Sequence, residues 1–265
     1  MTPGELSPLP PLLAIDEPPA YGAVNPDGTA PLVLLCEHAA LRIPRKLGDL
    51  GLSEAERRRH IGWDIGAMAL ALGLSDALDA SLFHTNYSRL VVDCNRETGN
   101  PGQVPERSEA TAVPGNIGLA PRARRQRIET LFSPFHAAVS RRLDRMQAQG
   151  LRPLVVGVHS FNPVYHEVAR PWDVGVLYAG ARDFAAGLMA GLRAQGPELT
   201  IGDNEPYRID HDDYTVPFHG EARGLPAVLI EVRNDLIADH AGVALWTHRL
   251  AHCLRPLLPG HGVLP

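Results

Sequence analysis

The sequence predicts a three-layer α/β/α fold built on a mainly parallel or mixed central sheet. Short apolar runs of strand length recur at Leu32–Cys36, 154–158 and 227–230. Segments with helical apolar spacing lie between and after them, at 63–74, 121–149, 182–194 and 243–257. Strands that alternate with helices bury a sheet on both faces, and so read as continuous apolar runs. The 265 residues, 45% of them hydrophobic, show no internal repeat and no linker. One α/β domain over 31–265 is therefore expected.

The elements follow in order. Residues 1–30 are rich in proline and glycine without periodicity, and are expected to form an irregular lead-in. The run Leu32–Cys36 is a buried strand, bounded by Pro31 and the polar pair Glu37 and His38. Ser53 followed by Glu56 marks a capped helix start. The 63–74 helix has an apolar stripe through Ile65, Met68, Ala69 and Leu72. Strands are expected at 81–84 and 89–92. The Gly-, Pro- and Asn-rich stretch 97–120 reads as a long binding loop or lid. Pro121 opens a long helix that Gly150 stops. Further strands are expected at 154–158, 174–178 and 227–230, and a second polar loop at 202–224.

Composition narrows the function. A net charge of −5 supplies no basic field for nucleic acid. The run Arg122, Arg124, Arg125 and Arg127 reads as a solvated helix face. Three cysteines, an odd count without CxxC spacing, argue for a reducing compartment. The N-terminal stretch has no basic, apolar signal pattern, and no apolar run of about 18 residues would span a membrane. A cytoplasmic protein is expected.

Three ionisable residues follow buried strands: His38, His159 and Glu231. In open α/β sheets the ligand crevice lies at the carboxyl ends of strands, which places all three at one edge. Two neutral imidazoles and a carboxylate form a common set of zinc ligands that leaves a position for water. Hydrolysis then needs a further acid to move the proton. Asp64 is the best candidate for that additional carboxylate, with a helix N-cap as its alternative role. His60 is an alternative ligand. Glu37 is expected to point to the face opposite His38. Arg96, preceded by Asn95, is suited to pairing with a substrate carboxylate, or else with Asp93 or Glu97. Arg89 is expected to be structural.

At these residues the chain resembles the N-formylglutamate amidohydrolase family. The matching segments are Cys36-Glu-His-Ala with Arg42-Ile-Pro, HIGWDIGA, SRLVVDCNR, VHSFNPV, GDNEPY and RGLPAVLIEVRNDLI, in order over about 32–236. That family is similar in turn to zinc carboxypeptidases and muramoyl-alanine amidases. The resemblance implies a carboxypeptidase-like fold, Zn2+ or another divalent metal held by His38, Asp64 and His159, and Glu231 as general base. It also implies that Asn95 and Arg96 hold the substrate's carboxylate. One departure is Leu41, where carboxypeptidases have the glutamate of their His-x-x-Glu ligand pair.

The expected reaction is hydrolysis of a small acidic N-acyl amino acid, N-formyl-L-glutamate giving formate and L-glutamate. Arg42 or Arg233 would steady the oxyanion. The 202–219 loop, with Asn204, Tyr207, His211 and Tyr214, would close over the ligand. Alternatives are another amide substrate, such as a peptide or cell-wall amide, or a small-ligand binding module. A cysteine nucleophile, Cys94 or Cys36, is less favoured because strand cysteines are usually buried.

Overall fold

The computed structural model describes residues 9–210 and 212–259. In chain order the strands are β1 (Tyr21–Val24), β2 (Leu32–Cys36), β3 (Ser81–Thr85), β4 (Arg107–Ser108), β5 (Thr111–Ala112), β6 (Leu154–Phe161), β7 (Val164–Tyr165), β8 (Val168–Ala169), β9 (Val174–Leu177), β10 (Ile201–Asp203) and β11 (Ala227–Arg233). The α-helices are α1 (Glu54–Arg58), α2 (Ala67–Leu78), α3 (Pro121–Arg127), α4 (Ser133–Ala148), α5 (Arg182–Gln195) and α6 (His240–Leu254).

Seven strands form one sheet in the order β1-β3-β2-β6-β11-β9-β10, while β4–β5 and β7–β8 are separate two-stranded pairs. The sheet is mixed. Its centre, β3-β2-β6-β11, is parallel; β1 and β9 run antiparallel to β3 and β11. Alternate strand residues feed two apolar clusters, one on each face. Leu34, Val156 and Ile230 join Leu70 of α2, Leu188 of α5 and Trp246 of α6. Val33, Val155 and Leu229 join Phe135, Val139 and Leu143 of α4. Both faces are thus covered by helices, giving the three layers.

The long helix expected from Pro121 is interrupted by a π turn over Ile128–Phe132. Pro134 explains it: proline has no N–H for the preceding turn and its ring crowds the carbonyl there, so the helix widens. Gly150, at φ 78°, follows the helix end in the left-handed region.

Two expectations are corrected. Tyr21–Val24, inside the expected irregular lead-in, pairs with β3 at the sheet edge. A four-residue edge strand is too short to show a period. Residues 89–92 are not a strand but a turn, with the Val91 N–H donating to Ser88 O at 2.9 Å. Leu90, Val91 and Val92 are nevertheless buried, so the apolar signal reported core packing instead of extended backbone. In addition, β6 and β11 run on past His159 and Glu231, which therefore lie inside strands near their carboxyl ends. The 63–74 helix begins at Ala67, after Gly66 turns the chain at φ 81°. No described helix is long and apolar enough to cross a membrane.

Candidate active site

The parallel centre of the sheet builds the site. His159 and Glu231 are direct register partners on β6 and β11. Leu35 of β2 pairs with Gly157, so Glu37 arrives level with His159. A Cβ on Gly157 would collide with the end of the Leu229 side chain and stand in ordinary contact, 3.4 Å, with His159 Nε2. Asp64 is brought in by its own N–H, which donates to His38 O at 2.9 Å. Gly66 is the N-cap of α2, without a side-chain cap, so Asp64 does not take the N-cap role.

Both histidines turn Nδ1 toward one atom. Asp64 Oδ2 lies 2.9 Å from His159 Nδ1 and 3.3 Å from His38 Nδ1. The rings meet edge to face, with centroids 4.9 Å apart. Each Nε2 meets a second carboxylate: His38 pairs with Asp93 Oδ1 at 2.8 Å, and His159 with Glu37 Oε2 at 3.0 Å. Arg89 bridges Asp64 Oδ1 and Asp93 Oδ2, each at 3.2 Å. The Thr215 hydroxyl donates to Glu37 Oε1.

The ligating atoms of His38, Asp64 and His159 lie within 4.8 Å of one another, and the three residues can hold a metal ion. The chemistry of the donors fits one. Carboxylates facing Nε2 favour the proton on that nitrogen, which leaves the Nδ1 lone pair for a cation. Four carboxyl groups are buried here: Glu37, Asp64, Asp93 and Glu231. Burial opposes charge on Asp64, yet His38 beside it and the hydrogen bonds from His159 and His38 hold its carboxyl well below the usual range. Burial likewise disfavours His159 as a cation, but Asp64 and Glu37 hold its pKa well above the ordinary value.

Glu231 behaves differently. Its Oε2 is buried without a hydrogen-bond partner, and burial pushes its carboxyl up to about 7. A carboxylate poised there can take and return a proton near neutral pH. His60 lies with Nδ1 3.5 Å from Asp64 Oδ1, and burial lowers its pKa to about 4. It stays neutral beside the three converging residues.

The site opens into a cavity of about 310 Å³. The structure brings His38, Asp64, His159, Glu231, Asn95, Arg96 and Tyr207 to its walls. Asn95 and Arg96 both engage Asp213 Oδ1, at 3.1 and 3.4 Å, so the partner of Arg96 is Asp213 and not Asp93 or Glu97. Four expected residues do not line the cavity. Arg42 lies along a separate groove with Trp63 and Asn86. Arg233 is tied to Asp173 at 3.2 Å and Asp235 at 2.8 Å. Asn204, at φ 53°, accepts the Tyr178 N–H in a turn. Tyr214 packs with Phe132, His136 and Phe218. His211 lies outside the described residues. The three cysteines are buried. Burial raises the thiols of Cys36 and Cys94 well above the ordinary value, so neither is an activated nucleophile.

Sequence reasoning missed Glu37, Asp93 and the ionic role of Arg89. Side-chain alternation does turn Glu37 away from the His38 side, but His159 stands on that other face. Arg89 and Asp93 are four residues apart, a spacing that flags an ion pair on a turn but not on the strand expected there.

Known proteins are similar along most of the chain. The sequence model described as N-formylglutamate amidohydrolase matches residues 30–238. An N-formylglutamate deformylase from Pseudomonas putida is 29% identical over 143 residues, 50% of this chain and 52% of that protein. The chain thus matches about half the length of that relative. A gene product from Agrobacterium tumefaciens of solved structure is 37% identical, with a TM-score of 0.88 over 93% of this chain and 98% of that one. An N-formylglutamate amidohydrolase from Ralstonia eutropha JMP134, 20% identical, aligns with a TM-score of 0.65 over 89% and 96%, a likeness of fold.

Proposed function

The chain belongs to the N-formylglutamate amidohydrolase family, and on that premise we propose that it hydrolyses the amide of an N-acyl amino acid, N-formyl-L-glutamate giving formate and L-glutamate. One observation carries the reading: His38, Asp64 and His159 converge in a cavity where Glu231 stands in register with His159.

Zinc, or another divalent cation, held by His38 Nδ1, an Asp64 oxygen and His159 Nδ1 would polarise the scissile carbonyl and make water more acidic. The remaining work falls to the chain's own groups. Glu231 takes the proton of the attacking water and passes it to the leaving nitrogen. Its buried, unpartnered Oε2 and its pKa of about 7 suit it to both transfers. Glu37 and Asp93 fix the two imidazoles. Asn95 and Arg96 hold one substrate carboxylate, since a guanidinium has five donors and Asp213 engages Arg96 through NH1. Tyr207 lines the same cavity. Arg42 and Arg233 are not assigned to the oxyanion, because neither reaches the cavity wall.

The test is formate release from N-formyl-L-glutamate, with formyl, acetyl and peptidyl glutamate compared. Turnover that stops in strong chelator and returns with zinc supports the reading. Turnover unchanged in chelator, or no turnover of any acyl glutamate, defeats it.

A further inference from the structure

An acyl glutamate brings two carboxylates into a cavity already rich in acids, and the Asn95 and Arg96 pair accounts for one. Three arginines line that cavity: Arg89, Arg96 and Arg208. Arg89 is neutralised by Asp64 and Asp93. Arg96 has Asp213 at 3.4 Å. Arg208 makes no hydrogen bond or ion pair with any described residue. Its neighbour Asp210, which also lines the cavity, is engaged by its own loop, with Oδ1 accepting the Asp212 N–H at 2.8 Å.

The backbone that carries Arg208 is held on both sides. On one side, the Tyr207 hydroxyl accepts from Arg170 at 2.8 Å, and that guanidinium packs 4.7 Å from the Tyr207 ring and 4.4 Å from the Tyr165 ring. On the other, the Asp210 N–H donates to Asp213 Oδ2 at 3.2 Å, and Arg96 and Asp213 form a β-bridge. The result is an uncompensated guanidinium on an anchored loop at the wall of an anionic cavity. A planar fork of this kind recognises a carboxylate through two parallel hydrogen bonds.

We propose that Arg208 binds the second carboxylate of the acyl amino acid and so sets the preference for dicarboxylic substrates. This rests on the hydrolase reading of the same cavity.

The experiment uses the metal-loaded protein and its Arg208→Gln and Arg208→Lys variants. Formate release is measured with N-formyl-L-glutamate and its two monoamides, N-formyl-L-glutamine and N-formyl-L-isoglutamine. Binding of L-glutamate is measured by calorimetry. Arg208→Gln is expected to raise KM for N-formyl-L-glutamate by about 10- to 100-fold, with a much smaller change in kcat. Arg208→Lys keeps part of the affinity. The penalty disappears with one of the two monoamides, the one lacking the carboxylate that Arg208 holds. An unchanged KM, or the same loss on all three substrates, overturns the proposal. A wild type that releases no formate yet binds L-glutamate, with that binding weakened in Arg208→Gln, defeats the hydrolase reading alone. A wild type that does neither defeats both.

Discussion

His159 Nδ1 lies 2.9 Å from Asp64 Oδ2, although 95 positions separate the two residues in sequence. The sheet register and the Gly66 turn make this meeting possible. It places a carboxylate between two imidazoles whose other nitrogens also face carboxylates. Such an arrangement suits a bound cation.

Glu37→Gln and Asp93→Asn each remove the carboxylate behind one imidazole while leaving the three converging residues intact. Partners of this kind typically contribute about 10- to 100-fold to metal affinity. Competition against a calibrated chelator is expected to show a loss of that size in each variant. Affinity equal to wild type in both would mean that the carboxylates do not tune the ligands.

Glu231→Gln keeps the shape of the side chain and removes its basicity. We expect kcat to fall by roughly 10²- to 10⁴-fold with bound metal retained. Steady-state formate release paired with elemental analysis checks this. A variant that keeps its turnover would reassign the base.

The same residue makes metal-free stability depend on pH. Folding raises the Glu231 pKa from 4.5 to about 7, so between these values the folded chain holds a proton that the unfolded chain has lost. Stability from this group is complete below pH 4.5 and is lost as pH rises through about 7. In chelator at pH 8, Glu231→Gln is expected to be more stable than wild type by up to about 3 kcal/mol, or about 5 °C in Tm. At pH 4.5 the gap narrows. Thermal melts at the two pH values measure it, and a gap that widens toward acid would reverse the sign of the argument.

Gly157→Ala inserts a methyl group against Leu229 and near His159 Nε2. Overpacking of this kind costs about 1–3 kcal/mol. Denaturant unfolding is expected to show that loss. A neutral effect would show that the Leu229 side chain yields freely.

Much of this was legible beforehand because it rests on local pattern. The buried strands announced themselves as apolar runs, and the residues near their carboxyl ends, His38, His159 and Glu231, meet at one sheet edge as α/β topology requires. What could not be read depended on register or on irregular backbone. The contact of Glu37 with His159 requires knowing that β2 lies beside β6 and in which alignment. The pairing of Arg89 with Asp93 requires a turn where the apolar residues suggested a strand. Arg42 and Arg233 carry suitable chemistry, but the former lies along another groove and the latter is already matched by Asp173 and Asp235.

The most direct test of the metal site is zinc titration of metal-free protein by calorimetry, in wild type and in His159→Ala and Asp64→Asn variants. One tightly bound ion per chain is expected in wild type, with severe loss of affinity in both variants. Wild type that binds no ion, or variants that bind as tightly as wild type, would contradict the assignment of the site.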